Sequence, residues 1–135
     1  SYTESNFALS INRDNQTHLS YASTAVNQII EEVAQEQNIN YKKGYGLCNE
    51  AFDVYLTSEQ LEDLFSSFPK SISIVVSEME AFALFYIAKM LGKKAACLLT
   101  IVDSKYQKDI IVTSEEREQK LDNMILLALE SCLKI

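Results

Sequence analysis

Ser71-Ile72-Ser73-Ile74-Val75-Val76 and Ala95-Ala96-Cys97-Leu98-Leu99-Thr100-Ile101-Val102 bracket the segment whose reading decides the fold. The first is a short β-branched run and the second carries no charge, as expected of central parallel strands covered on both faces. Between them, Glu78 to Leu91 is apolar around most of its circumference and ends at Gly92, with Lys89, Lys93 and Lys94 nearby. That pattern predicts a buried crossover helix closed by a glycine. Strand, helix and strand in this order form a parallel unit, and right-handed crossovers of this kind build an α/β layered fold.

Outward from this unit the alternation continues. Thr57-Ser58-Glu59-Gln60 has the form of a capping box, and Leu61, Leu64, Phe65 and Phe68 follow at helical spacing before Pro69, which predicts a helix near 58–67. Asn40 to Cys48 alternates weakly around Gly44 and Gly46 and reads as a short strand leading into a loop. Val26, Ile29, Ile30, Val33 and Ala34 lie on one face of a helix within 20–37, with Ser23 or Thr24 as its cap. A second capping box, Thr113-Ser114-Glu115-Glu116, opens a long amphipathic helix whose apolar face is Leu121, Met124, Ile125, Ala128, Leu129 and Cys132.

Composition bounds the function classes. The chain has 135 residues, of which 47% are hydrophobic and 23% charged, close to the average of soluble globular domains. With one proline and no Pro/Gly-rich linker, nothing marks a boundary, so residues 1–135 are expected to form a single domain. A net charge of −7 argues against a nucleic-acid partner, whose backbone attracts clustered Lys and Arg. No apolar run approaches the roughly 20 residues that span a bilayer, and the first thirty residues lack an export pattern. A soluble cytoplasmic protein without membrane contact is the expectation. Cys48, Cys97 and Cys132 are odd in number and lack CxxC spacing, which suits buried free thiols. Asn15-Gln16-Thr17 matches a glycosylation acceptor, a tripeptide frequent by chance.

In open α/β sheets ligands bind beyond the carboxyl ends of the strands, so the residues after 71–76 and 95–102 are the candidates for chemistry. The first strand runs into Glu78-Met79-Glu80 and the second delivers Asp103. Two readings of these acids are open. Carboxylates beside an apolar wall can have separated pKa values and divide general-acid and charge-binding roles. Alternatively, Glu78 and Glu80 are ordinary acids of a helix first turn and Asp103 opens a loop. Arg117, near the start of the last helix, is opposed by the helix dipole and is either a site residue or the partner of Glu115, Glu116 and Glu118. Tyr55 offers an aromatic face to a planar ligand or packs in the core. His18 has no Cys or acid at ligand spacing, so no metal site is expected, and no Gly-rich phosphate loop is present.

Val75-Val76-Ser77-Glu78-Met79-Glu80-Ala81 with Leu84-Phe85 and Ala88-Lys89 resembles the V-E-M-E-A segment of the hexameric bacterial purine nucleoside phosphorylases. Ala95 to Asp103 resembles their strand ending in T-V-S-D. Ser114-Glu115-Glu116-Arg117, then Asn123-Met124-Ile125 and Ala128-Leu129-Glu130-Ser131, is similar to their A-E-R…N-D-M-I…A-L-E-S helix. Phe52-Asp53-Val54-Tyr55 looks like D-V-F-Y, and Thr3-Glu4-Ser5 like the T-D-S that opens the second half of the family sequence.

The resemblance implies a partial nucleoside-phosphorylase fold, a three-layer sandwich around a mostly parallel or mixed central sheet. It implies reversible phosphorolysis of purine ribonucleosides and deoxyribonucleosides to free base and pentose 1-phosphate, with phosphate as co-substrate and no cofactor or metal. Asp103 then protonates the leaving purine and Arg117 promotes that transfer. Glu80 binds the ribose hydroxyls, Met79 packs on the sugar, Tyr55 contacts the base, and Ser77, Glu78 and Val102 complete the substrate contacts. Val102 stands in place of the family's serine, Ser104 in place of histidine, and Ser77 in place of valine. The family's phosphate ligands lie in an amino-terminal half outside these residues. The expectation is therefore a partial chain, inactive alone, that forms a homo-oligomer or pairs with a complementing amino-terminal chain. A methylthioadenosine-type nucleosidase and a non-catalytic remnant acting by protein association are the alternatives.

Overall fold

A computed structural model of the chain describes residues 1–3, 18–50, 55–101, 113, 115, 118 and 121–135. Along the chain run β1 (Tyr2–Thr3), α1 (Thr24–Glu36), β2 (Tyr45–Cys48), α2 (Ser58–Ser67), β3 (Ile74–Glu78), α3 (Ala81–Met90) and α4 (Asp122–Cys132). Two units are distinguished: Ser1–Ala22 with Lys42–Ala95, and Ser23–Tyr41 with Ala96–Ile135.

The first unit holds the sheet. Its order is β1-β2-β3 and both pairings are parallel, as the alternation of strand and helix predicts. Among the described residues β3 is an edge strand, not the central one expected. The pairing of β2 with β3 shifts between Tyr45 and Gly46, where Tyr45 faces Ile74 and Gly46 faces Val76. Val75 is thereby left as the extra residue of a bulge. A Cβ on Gly44 would lie 2.6 Å from Val75 Cγ1 and Cγ2, so this position suits glycine alone. The capping box of α2 forms as the sequence predicts: Gln60 N donates to Thr57 Oγ1 at 3.2 Å and Thr57 N to Gln60 Oε1 at 2.8 Å. Beyond α2, Phe68 sets its ring edge-on against Phe65 and against buried Tyr2 of β1.

Helix α3 ends where glycine was expected to end it. Gly92 has φ +62°, and Lys93 N reaches back to Ala88 O at 2.8 Å, the geometry of a glycine-terminated helix. Its burial differs from the expectation. Ala81, Phe82 and Phe85 are buried, but Leu84, Ile87, Met90 and Leu91 are exposed. The periodicity is nearly absent in this helix, so composition shows that it needs cover without showing which face receives it.

The second unit is built on α1 and α4. Ser23 Oγ accepts from Val26 N at 3.5 Å, and Asn38, with φ +54°, closes α1 as Ile39 N bonds to Ala34 O at 2.8 Å. Val33, Ala34 and Leu127 form a buried cluster joined by Ile29, Ile30, Ile39 and Leu98. Full burial of a valine or leucine such as Val33 or Leu127 stabilises by about 1.5–3 kcal/mol. Lys134 Nζ bridges Glu36 Oε2 at 2.6 Å.

Three expectations need correction in this unit. Residues 95–101 are in no strand; Leu98 packs instead with the helix cluster. The buried side of α4 is Leu127 and Ser131, while Ile125, Leu129 and Cys132 are exposed. Met124 to Leu129 is a continuous apolar run, so spacing alone leaves the inward face open; Ser131 tolerates burial because its Oγ donates to Leu127 O at 2.6 Å. Cys97 and Cys132 are exposed, and only Cys48 is the buried thiol expected of all three. Of the capping box expected at Thr113–Glu116, Ser114 and Glu116 lie outside the described residues.

Candidate functional site

The carboxyl ends of the three parallel strands fall in one row. Thr3 pairs with Cys48, and Cys48 with Glu78, so the sheet terminates in a polar threonine, a thiol and a carboxylate side by side. Thr3 Oγ1 donates to Cys48 O at 3.0 Å, and Asn49 N donates to Glu78 O at 2.9 Å, extending the β2–β3 pairing by one residue. Next to Thr3, His18 Nδ1 lies 2.8 Å from Thr3 O, with its ring stacked on Tyr2. A carbonyl oxygen only accepts, so Nδ1 carries the proton in that contact.

Glu78 is the structural hinge of this rim. Its Oε2 accepts from Glu80 N at 2.8 Å and from Ala81 N, and its Oε1 accepts from Ser1 Oγ at 3.0 Å. The backbone N–H groups at the start of α3 have no intrahelical acceptor, and a carboxylate there is further favoured by the helix dipole. Glu78 therefore fixes the angle at which α3 leaves β3. Of the two readings of this acid, the local geometry displays the helix-start role.

The residues that follow are presented differently. Met79 is 42% exposed and Glu80 is exposed, with Glu80 Oε2 accepting from Met79 N at 3.2 Å. Ser77 is exposed as well. Tyr55, just before α2, is 79% exposed, which rules out core packing within this chain. Asp103, Arg117 and Val102 lie outside the described residues.

Cys48, the middle member of the row, is buried. Burial pushes its thiol above the ordinary value; the Phe82 backbone N–H opposes this, and the nearby Glu78 carboxylate and the charge of Glu80 push it further up. Burial and the neighbouring carboxylates thus favour the neutral thiol over the thiolate here. Asn49 is a rim residue that the motif reading passes over. The rule that selects Asp103, the residue directly after a parallel strand, selects Asn49 after β2 equally well.

A parallel sheet with polar residues gathered at its strand ends defines an α/β protein of the kind that binds ligands beyond the carboxyl edge. The chain belongs to the phosphorylase superfamily, whose family model matches residues 7–130. It is 32% identical over 128 residues to a purine nucleoside phosphorylase of the DeoD type from Dichelobacter nodosus, covering 93% of this chain and 51% of that protein. It is 34% identical over 115 residues to the DeoD-type enzyme of Mycoplasma genitalium, covering 85% of this chain and 45% of that one. The chain spans about half the length of the curated relatives it matches.

Proposed function

We propose that these residues form the nucleoside-binding part of a purine nucleoside phosphorylase, which cleaves purine ribonucleosides and deoxyribonucleosides with phosphate to free base and pentose 1-phosphate. The observation that carries this reading is the end of β3. Glu78 is committed to the start of α3, and it thereby presents Met79 and Glu80 outward at the carboxyl rim. A carboxylate accepts from two vicinal hydroxyls and a thioether packs on a sugar face, so Glu80 and Met79 suit a ribose. Tyr55 suits stacking on the base. Asp103 protonates the purine as the glycosidic bond breaks and Arg117 assists it, a general-acid contribution typically of about 10²- to 10⁴-fold. Ser77, Glu78 and Val102 complete the surroundings of the nucleoside.

Phosphate is the co-substrate in this reading, held by residues beyond these 135, and no cofactor takes part. The protein acts in purine salvage in the cytoplasm, as a homo-oligomer or with a complementing amino-terminal chain.

The test is ribose 1-phosphate formation from inosine and adenosine, by the 135-residue chain alone and mixed with the amino-terminal half of the Dichelobacter relative. No turnover alone and phosphate-dependent turnover in the mixture are expected, reduced at least 100-fold by Asp103→Asn with little change in nucleoside binding. Release of free ribose instead would establish hydrolysis and overturn the phosphorylase reading.

A further inference from the structure

Resting on the nucleoside-binding reading above, we propose that Asn49 and Ser77 together form the element that reads the polar edge of the base. Asn49 Nδ2 donates to Ser77 Oγ at 3.0 Å, across the ends of the adjacent strands β2 and β3. The backbone of Asn49 is fixed at the same place by its bond to Glu78 O at 2.9 Å. Side chains alternate along a strand, so Ser77 projects to the face opposite Val76 and Glu78. The pair therefore stands apart from the Glu78 carboxylate that is tied into α3, at the strand ends where an α/β sheet receives its ligand.

The chemistry of the pair selects its ligand. Neither group is charged, so neither matches a phosphate dianion, which is held by Arg, Lys or clustered backbone N–H groups. A carboxamide has both an oxygen acceptor and N–H donors, and a hydroxyl both donates and accepts. Coupled side by side, they suit a neutral heterocycle whose edge carries neighbouring donors and acceptors, as the six-membered rings of hypoxanthine and adenine do. The rotatable Ser77 hydroxyl lets one site serve both a 6-oxo and a 6-amino group. The ribose hydroxyls fall to Glu80, which leaves the base edge to this pair.

The experiment is an amide-resolved NMR titration of the 135-residue chain with hypoxanthine, adenine and benzimidazole. Benzimidazole keeps the five-membered ring but has no heteroatom on its six-membered ring. Asn49→Ala and Ser77→Ala are each expected to weaken hypoxanthine and adenine by about 3- to 10-fold, the usual worth of one neutral hydrogen bond, and to change benzimidazole less than about 2-fold. Ser77→Thr, which keeps the hydroxyl, is expected to restore purine affinity to within about 2-fold of wild type. If wild type binds the purines but the variants weaken all three ligands alike, or none, the assignment of this pair is wrong while the nucleoside reading stands. If wild type binds neither purine at millimolar concentration, the nucleoside reading fails and this inference with it.

Discussion

Glu78 shows how one side chain can serve the fold inside a motif that looks catalytic. Its carboxylate holds the backbone N–H groups of Glu80 and Ala81 and the hydroxyl of Ser1. Glu78→Ala strips two helix-start donors of their acceptor and is expected to destabilise the chain by about 1–3 kcal/mol, read as a lower urea midpoint with an unchanged slope. Glu78→Gln, which keeps one carbonyl oxygen, should lose less. An unchanged midpoint for the alanine variant would show that these donors find other acceptors. Cys48, directly beside Glu78, gives a prediction about pH. Its folded thiol titrates above the ordinary 9.0, so above that value the unfolded chain has lost a proton that the folded chain keeps. Stability on this account is flat below pH 9 and falls as pH rises through the ordinary thiol value. The same burial predicts that a thiol reagent at pH 8 modifies Cys97 and Cys132 rapidly and Cys48 only after denaturant is added; three equally fast thiols would contradict it.

At the scale of elements, what is local in sequence was legible and what is decided by distant partners was not. Thr57-Gln60, Ser23 and Gly92 each end or begin a helix through atoms within five residues of themselves, and all three take the predicted roles. Thr57→Ala removes the acceptor of Gln60 N and should cost about 1 kcal/mol, because α2 is only ten residues long and its apolar side, Leu61, Leu64 and Phe65, is only partly buried. Thermal unfolding of that variant beside Thr57→Ser, which keeps the hydroxyl and should stay near wild type, checks it. By contrast, a charge-free run such as Ala95 to Ile101 fits a strand or an irregular connection equally well, and here only Leu98 packs against the α1–α4 cluster while Leu99 and Ile101 are exposed. The inward face of α4 was equally hidden, since six consecutive apolar residues, Met124 to Leu129, leave no polar side to set the phase. The candidate site divides in the same way. Glu80 and Met79 are legible because they follow a recognisable strand, whereas the Asn49–Ser77 contact joins residues 28 positions apart and depends on the register of β2 against β3.

For the whole molecule the decisive quantity is apolar surface left in water. On α3 and its carboxyl-terminal cap, Leu84, Ile87 and Leu91 share one face at helical spacing; Ile87 is 54% exposed, and Met90 beside them is 68% exposed. On α4 and its carboxyl-terminal cap, Leu126, Leu129 and Leu133 repeat the pattern, and Leu133 is 82% exposed. A helix as uniformly apolar as α3 is ordinarily enclosed, and covering one leucine or isoleucine contributes about 1.5–3 kcal/mol, so even three such contacts offset much of the entropy lost on association. A net charge of −7 opposes association by repulsion at low salt and loses that effect as ions screen it. The purified chain is therefore expected to scatter light with a mass above 15.3 kDa at micromolar concentration, more so at 0.5 M than at 0.05 M sodium chloride. Ile87→Lys combined with Leu84→Glu should shift it toward the monomer without altering its circular dichroism, since both side chains are exposed in the single chain. Adding the amino-terminal half of the Dichelobacter relative should compete with self-association if that half covers the same face. A monodisperse 15.3 kDa species at both salt concentrations would mean that the exposed faces of α3 and α4 are stable in water on their own, and the expectation of association would fall.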